Sequence, residues 1–447
     1  MVILSAAALL ILGLVMVYSA SSITSFVEQG DSTGEGIKQI LFAVVGIALC
    51  VGIVVFVRED MMRGVGGFVF WGLCVLLLLA TAVMGTVGLG AKRWLVVGGV
   101  GIQGSEFAKI AFTIMAVKVI CDFNEGTIDS RGLCWRLVLF VFVPMIFLLL
   151  LAQSDLGTTM ICFVAIVAVL WLSGAPTKVV AAIIGAAILL GVIAIMAKGY
   201  RADRFSVFDP WADPQGAGYQ LIHSFKALAS GGLFGVGIGN SYEKLLYLPE
   251  AETDFIFAIL GEELGLVGTV GVVVLFLVFM RGGLLVAQQA KSSFGLMLAG
   301  SLTTMLVFQA FLNIACVVGL LPTTGKPLPF ISSGGSSLIS SLMIVGIILV
   351  VSFGSNESGE YRQRRESLHV VTPYAHTGRP SREELGRRMT PSPAPSRVST
   401  TSLSSTRGHI DVSTGAPPMT SAVISRYQPT SRSRFSDRGT LSEQRRR

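Results

Sequence analysis

Long apolar runs, broken by short polar and glycine-rich stretches, set the pattern of this chain. Crossing a hydrocarbon core takes about 20 apolar residues. On that rule the sequence predicts ten spans, near 2–21, 39–57, 66–86, 106–121, 137–153, 157–173, 179–197, 254–280, 294–318 and 337–354. The fold class expected is an all-α polytopic membrane protein. The fourth span carries Glu106, Lys109 and Lys118 and is predicted only because the alternation of sides requires it. The first run lacks a basic leader and a cleavage site, so it reads as a retained span.

Between the spans, four segments hold most of the unusual residues: 88–109, 153–159, 198–253 and 319–337. They are rich in glycine and proline and are expected to turn and pack without forming a separate domain. With ten spans the two termini share a side. That side also holds Arg58, Arg63, Arg131, Arg136, Lys178, Arg281 and Lys291, which points to the cytoplasm. The four segments would then lie outside, together with Lys38, Lys92, Arg93 and Lys326.

Composition sharpens this picture. The chain is 52% hydrophobic and only 14% charged, against about 25% charged in a soluble domain. The net charge of +7 is a property of the C-terminus: residues 355–447 hold 16 arginines, no lysine and 8 acids. Residues 1–354 are thus the expected membrane domain, and 355–447 a basic, cytoplasmic, disordered tail. Such a tail is soluble, or it touches anionic headgroups or an acidic partner. No nucleic-acid partner is expected. The six cysteines have no metal-ligand spacing and are expected to be free thiols. No phosphate-binding nucleotide motif is present, so nucleotide hydrolysis is not indicated.

The candidate chemistry sits where polar loops meet spans. In PEAETDFIFAILGEELG, residues 249–265, Asp254 stands at the junction of a polar loop and a span. It has two readings: a helix N-cap, or a catalytic base at the membrane interface. Glu262 and Glu263 follow two turns deeper, and at least one must point into the bundle. Glu106 and Lys109 are three apart and share a helix face, so they form a structural ion pair or line a polar cavity. Lys92-Arg93-Trp94 suits either a phosphate or interfacial anchoring. Asp155, in QSDLGTT, is a cap or a site residue. SGGLFGVGIGNS, residues 230–241, could cradle phosphate with backbone N–H groups or serve as a packing turn.

Taken together, these blocks resemble the shape, elongation, division and sporulation family of polytopic proteins. The resemblance runs from about Leu12 to Phe353. It rests on MVYSAS, GAKRWL, SEFAK, SDLGTT, the DP…GYQ stretch around 209–220, SGGLFGVGIGNS, LPEAETDFIFAILGEELG and GLLPTTGKPLPFISSGGSS, in that order. YLPEAETDF and LPFISSGGSS look closer to the division and sporulation members than to the elongation members.

The resemblance implies a peptidoglycan glycosyltransferase of the bacterial inner membrane. It would polymerise lipid II, beside a class B penicillin-binding protein and other division proteins, with Mg²⁺ or Mn²⁺ as a cofactor. It makes Asp254 the essential aspartate and Glu106 with Lys109 the membrane-embedded pair. Arg93 matches the arginine after the Gly-Ala step. Lys92, Arg93, Lys109, Asp155 and Glu262 remain substrate or cavity candidates. The chain departs from the family pattern at Gly104 and Ser154, where proline is usual, at Ser333 in place of tyrosine, and at Glu252 in place of histidine. Glu252 is expected either to raise the pKa of Asp254 by like-charge repulsion or to help hold a cation. Two rival readings stay open: a lipid II flippase, and a scaffold acting through the tail.

Overall fold

The computed structural model describes residues 1–88, 91–98, 100–185, 209–216 and 218–367; the side chains of residues 28, 29, 87, 88, 91, 92, 97, 100 and 355–367 lie outside that description. The predicted tail falls outside the described residues from 368 onward, and so does most of the predicted seventh span. That span is seen only as helix from 177 to 185.

The remaining spans are helices. Helix α1 is Val2–Gln29 and α2 is Gly34–Phe56. A short α3, Glu59–Arg63, turns the chain into α4, Val65–Met84. Helix α5 is Gly104–Asn124. Helix α6, Ser130–Leu137, runs on in wide π turns over Val138–Phe142 and Met145–Ala152. Pro144 falls between those two stretches. It has no N–H to give to the helix ladder, and π turns are a common way to absorb that defect. Helix α7 is Leu156–Leu172, α8 is Tyr219–Ser230, α9 is Ile256–Gln289, α10 is Ser293–Val317 and α11 is Gly335–Ser367. The last helix passes the predicted tail boundary at 354. Seven described helices are long and apolar enough to cross a membrane.

Burial sorts these helices into an inner and an outer set. The apolar window of α10 is 78% buried, whereas that of α2 is 17% buried. Helix α2 presents Ile40, Leu41, Val44, Ile47, Val51 and Val55 outward, as a lipid-facing helix should. Helix α5 is buried along nearly its whole length. A helix walled in by neighbours need not be apolar, which is why its hydropathy was the weakest argument for a span. It packs on α4, α7, α10 and α11; α1 packs on α2 and α9, and α2 on α11.

One element departs from all-α. The first polar segment folds into an antiparallel meander of β1 Thr86–Gly88, β2 Ala91–Val97 and β3 Val100–Ile102. Trp94 is paired with Thr86 on one side, and Leu95 with Ile102 on the other. The sequence expectation of simple turns missed this sheet because its strands are three to seven residues long.

Helix α9 is broken. At 34 residues it would run about 51 Å if straight, well beyond a hydrocarbon core of about 30 Å. Gly265, at φ 68° and ψ −165°, interrupts it. The segment Ile256–Glu263 ahead of the break is wholly buried. The glycine-rich stretch lies against the break. Val236 N donates to Glu262 O at 2.9 Å and Gly237 N to Glu263 O at 3.0 Å. In return Leu266 N donates to Gly232 O at 3.0 Å and Val267 N to Leu233 O at 3.1 Å. Of the two readings of this stretch, the packing turn holds, because the Val236 and Gly237 N–H groups are spent on the backbone at the kink.

Candidate functional site

Four polar segments far apart in sequence meet at one place. Arg93, on β2, donates from Nε to Gln153 O at 3.1 Å and from Nη2 to Ser154 O at 2.8 Å. Lys326 Nζ donates to Asp155 Oδ2 at 2.8 Å. Ser332 Oγ donates to Thr253 O at 2.6 Å, and Ser333 N to Glu252 O at 2.8 Å. Asn313, near the end of α10, donates from Nδ2 to Asp254 O at 2.8 Å and to Lys326 O at 2.9 Å. A small cleft results, lined by Asp254, Phe255, Asn313, Cys316, Thr324 and Lys326 among others.

Asp254 stands at the mouth of this cleft, half-buried. It is not the helix cap. The N-cap position of α9 is Phe255, with no side-chain bond. The preceding turn closes on Glu250 instead: Thr253 N and Phe255 N donate to Glu250 O at 3.2 and 3.1 Å. Among the described residues the Asp254 carboxylate has no hydrogen-bonding or ion-pair partner. Burial pushes its pKa up to about 6, and the Glu250 carboxylate adds to the rise, while Lys326 and Arg93 pull the other way. Glu250 is thus one like charge acting on Asp254. Glu250 lies on the same turn, at φ 56°.

Asp155 is a cap and more. Its Oδ1 accepts from Thr158 N at 3.0 Å, opening α7, and its Oδ2 accepts from Thr158 Oγ1 and Lys326 Nζ, each at 2.8 Å. Burial works against its charge, but Lys326 and the two Thr158 bonds outweigh it and hold its pKa at about 2. Ser154, just ahead, has φ 50°. A proline, fixed near −65°, could not adopt that conformation, so the departure from the family pattern comes with a different local backbone.

Glu106, Lys109 and Glu262 do not line the cleft. Glu106 and Lys109 form a sealed pair at 2.6 Å, 0% and 2% exposed; Lys109 Nζ also donates to Gln309 Oε1 at 2.7 Å, and Ser340 Oγ to Glu106 Oε2 at 3.1 Å. This is an ion pair inside the bundle, tying α5 to α10 and α11. Glu262 accepts from Tyr242 N at 2.9 Å and from Ser241 Oγ. Glu263 accepts from Ser19 Oγ at 2.7 Å and Lys244 Nζ at 2.9 Å. Both carboxylates point inward and hold the loop to the kink and to α1. Lys92 pairs opposite Val87 in the sheet; its side chain is outside the described residues. All six cysteines are free.

Sequence reasoning missed Lys326 and Asn313. A lysine in a proline-rich loop and an asparagine late in a span carry little signal until the loops are brought together. Among the described residues no three His, Cys, Asp or Glu side chains are grouped to hold a metal ion.

The sequence profile of the cell cycle protein family of FtsW, RodA and SpoVE matches residues 1–357. A probable peptidoglycan glycosyltransferase FtsW from Geobacter sp. (strain M18) is 38% identical over 78% of this chain and 95% of its own. Stage V sporulation protein E of Bacillus subtilis (strain 168) is 35% identical over 77% and 94%. Among solved structures, a chain from a peptidoglycan synthase complex that coordinates polymerisation and crosslinking superposes with TM-score 0.64, at 27% identity, over 79% of this chain and 97% of that one. The rod shape determining protein RodA of Thermus thermophilus gives TM-score 0.57, at 25% identity, over 79% and 95%. Matched along its whole membrane part, the chain belongs to the FtsW, RodA and SpoVE family of cell cycle proteins.

Proposed function

We propose that this chain is a septal peptidoglycan glycosyltransferase that polymerises lipid II, with Asp254 as its general base. The observation that carries this reading is the Asp254 carboxylate, unpartnered among the described residues, half-buried, and poised near pH 6 where four loops converge. A base works best when its pKa lies near the operating pH. The GlcNAc 4-hydroxyl attacks the anomeric carbon of the donor sugar. As the new C–O bond forms, the bond from that carbon to the pyrophosphate oxygen breaks. The undecaprenyl pyrophosphate leaves with the electron pair, the hydroxyl proton passes to the Asp254 carboxylate, and the donor centre inverts.

Arg93 is placed to support the leaving group. Two of its five N–H donors are used on carbonyls, and the rest of the fork can meet phosphate oxygens. Glu106 and Lys109 act from within, by fixing α5 against α10 and α11. A class B penicillin-binding protein is the proposed partner, by likeness to the peptidoglycan synthase complex. The cleft side of the bundle is proposed to face outward from the cytoplasmic membrane. A divalent cation, if used, would arrive on the substrate pyrophosphate, and no step above depends on it.

The test is polymerisation of fluorescent lipid II by the purified chain with its penicillin-binding partner in liposomes. Glycan ladders support the reading. Label crossing the bilayer without polymer would make the chain a translocase and overturn it.

A further inference from the structure

Lys326 is a lysine 1% exposed inside a membrane protein. Burying an ammonium is costly unless it is paired, and here the surroundings are built around it. Asp155 Oδ2 lies 2.8 Å from its Nζ. A Cβ on Gly157 would come within 2.6 Å of Lys326 Cγ and 2.9 Å of Cε. The lysine stem therefore crosses bare backbone in the first turn of α7. Its own backbone is tied to that of Asp254 through the two bonds from Asn313 Nδ2. That amide can be oriented only one way, since rotating it would set its oxygen against both carbonyls.

Among the described residues, charged and titratable groups reach Asp254 from several elements. Glu250 comes from its own turn, Arg93 from β2 and Lys326 from the loop ahead of α11, with the Cys316 thiol on α10. Of the two cations, Arg93 is held by neutral carbonyls and is available to substrate. Lys326 lines the cleft but is 1% exposed, and its ammonium is held by the Asp155 carboxylate.

We propose that Lys326 is a positioning residue of the reaction: clamped by Asp155 over Gly157, its ammonium keeps the Asp254 carboxylate in the ionised form that a base requires. This rests on the reading of Asp254 as the base. A purely structural role, stapling the fourth loop to α7, differs from it in one measurable way. A staple changes how much active protein there is, whereas a charge held behind the base changes the pH at which the base works. The balance of forces on Asp254 agrees in sign, with burial and Glu250 favouring its protonated form and Lys326 opposing them.

The experiment is the initial rate of lipid II polymerisation between pH 5 and 9, using the full chain with its penicillin-binding partner. It compares wild type, Lys326→Met, Lys326→Gln, Lys326→Arg and Asp254→Asn. The acidic limb of the Met and Gln variants should move toward alkaline pH by about one unit, a roughly tenfold loss on the acidic side of the limb, with the plateau largely kept. The Arg variant should keep the wild-type limb. A limb that stays in place while rates fall equally at every pH would overturn the proposal in favour of a staple. Failure of both the Met and Gln variants to accumulate in membranes would count the same way. If Asp254→Asn stays active, the base itself is misassigned. If it is inactive while the limb stays put, the role of Lys326 alone falls.

Discussion

Replacing Gly265 by alanine should damage this protein more than any lipid-facing glycine in the same helix. Gly265 sits at φ 68° and ψ −165°, a region essentially reserved for glycine. Forcing another residue there costs about 1–3 kcal/mol. The added Cβ would also lie 2.3 Å from Gly235 N and 2.6 Å from Leu233 O. These are backbone atoms of the glycine-rich turn, hydrogen-bonded to Gly231 O and Val267 N, so they cannot step aside as a side chain would. Overpacking of this kind costs a further 1–3 kcal/mol or so, making the total about 2–6 kcal/mol. Gly271, one and a half turns on, has nothing within 4 Å of the same added atom. Alanine there should be neutral or stabilising by up to about 1 kcal/mol. Thermal unfolding of the detergent-solubilised protein, read beside lipid II polymerisation, should show Gly265→Ala losing both stability and activity while Gly271→Ala keeps both. Equal behaviour of the two variants would refute the kink as the point that locks the glycine-rich turn to α9.

Three further outcomes follow from the buried charges. Asp155→Ala leaves Lys326 buried and unpaired, which should cost about 3–5 kcal/mol, and adding Lys326→Met should recover much of that in the same unfolding assay. Lys244→Met removes the cation from Glu263, 0% exposed, and should lower the unfolding midpoint by a comparable amount. Asp254→Asn should be more stable than wild type. The Asp254 pKa is raised in the folded protein to about 6 from its usual 3.8, so the fold favours the protonated form and loses stability as pH rises between those values. Asparagine cannot ionise and escapes that loss. The gain at pH 7 should be about 1–2 kcal/mol after allowing for solvent screening, vanishing near pH 4.

The outer helices were legible from hydropathy, because residues that face lipid must be apolar. Helix α5 was not, because it is walled by protein and carries Glu106 and Lys109, whose desolvation is offset by their pairing. The kink was hidden as well, since Gly265 is one of 51 glycines and only the turn at 231–237 reveals its use. Asp254 was legible as a residue at a boundary, but its position could not separate a cap from a base. Phe255 at the cap position and the turn on Glu250 remove the cap reading. Asp155 was open in the same way and proved to be a cap that also pairs with Lys326. Contacts between residues 155 and 326, or 254 and 313, leave no trace in local sequence, so the cleft itself could not be read in advance.

The central claim is that a single carboxylate takes the proton from the attacking hydroxyl. The most direct measurement is lipid II polymerisation by Asp254→Asn, reconstituted with the penicillin-binding partner and compared with wild type across pH. The account predicts a wild-type rate that rises through about pH 6, and an Asn variant that inserts normally but makes no glycan at any pH. Near-normal polymer from the folded Asn variant would contradict it.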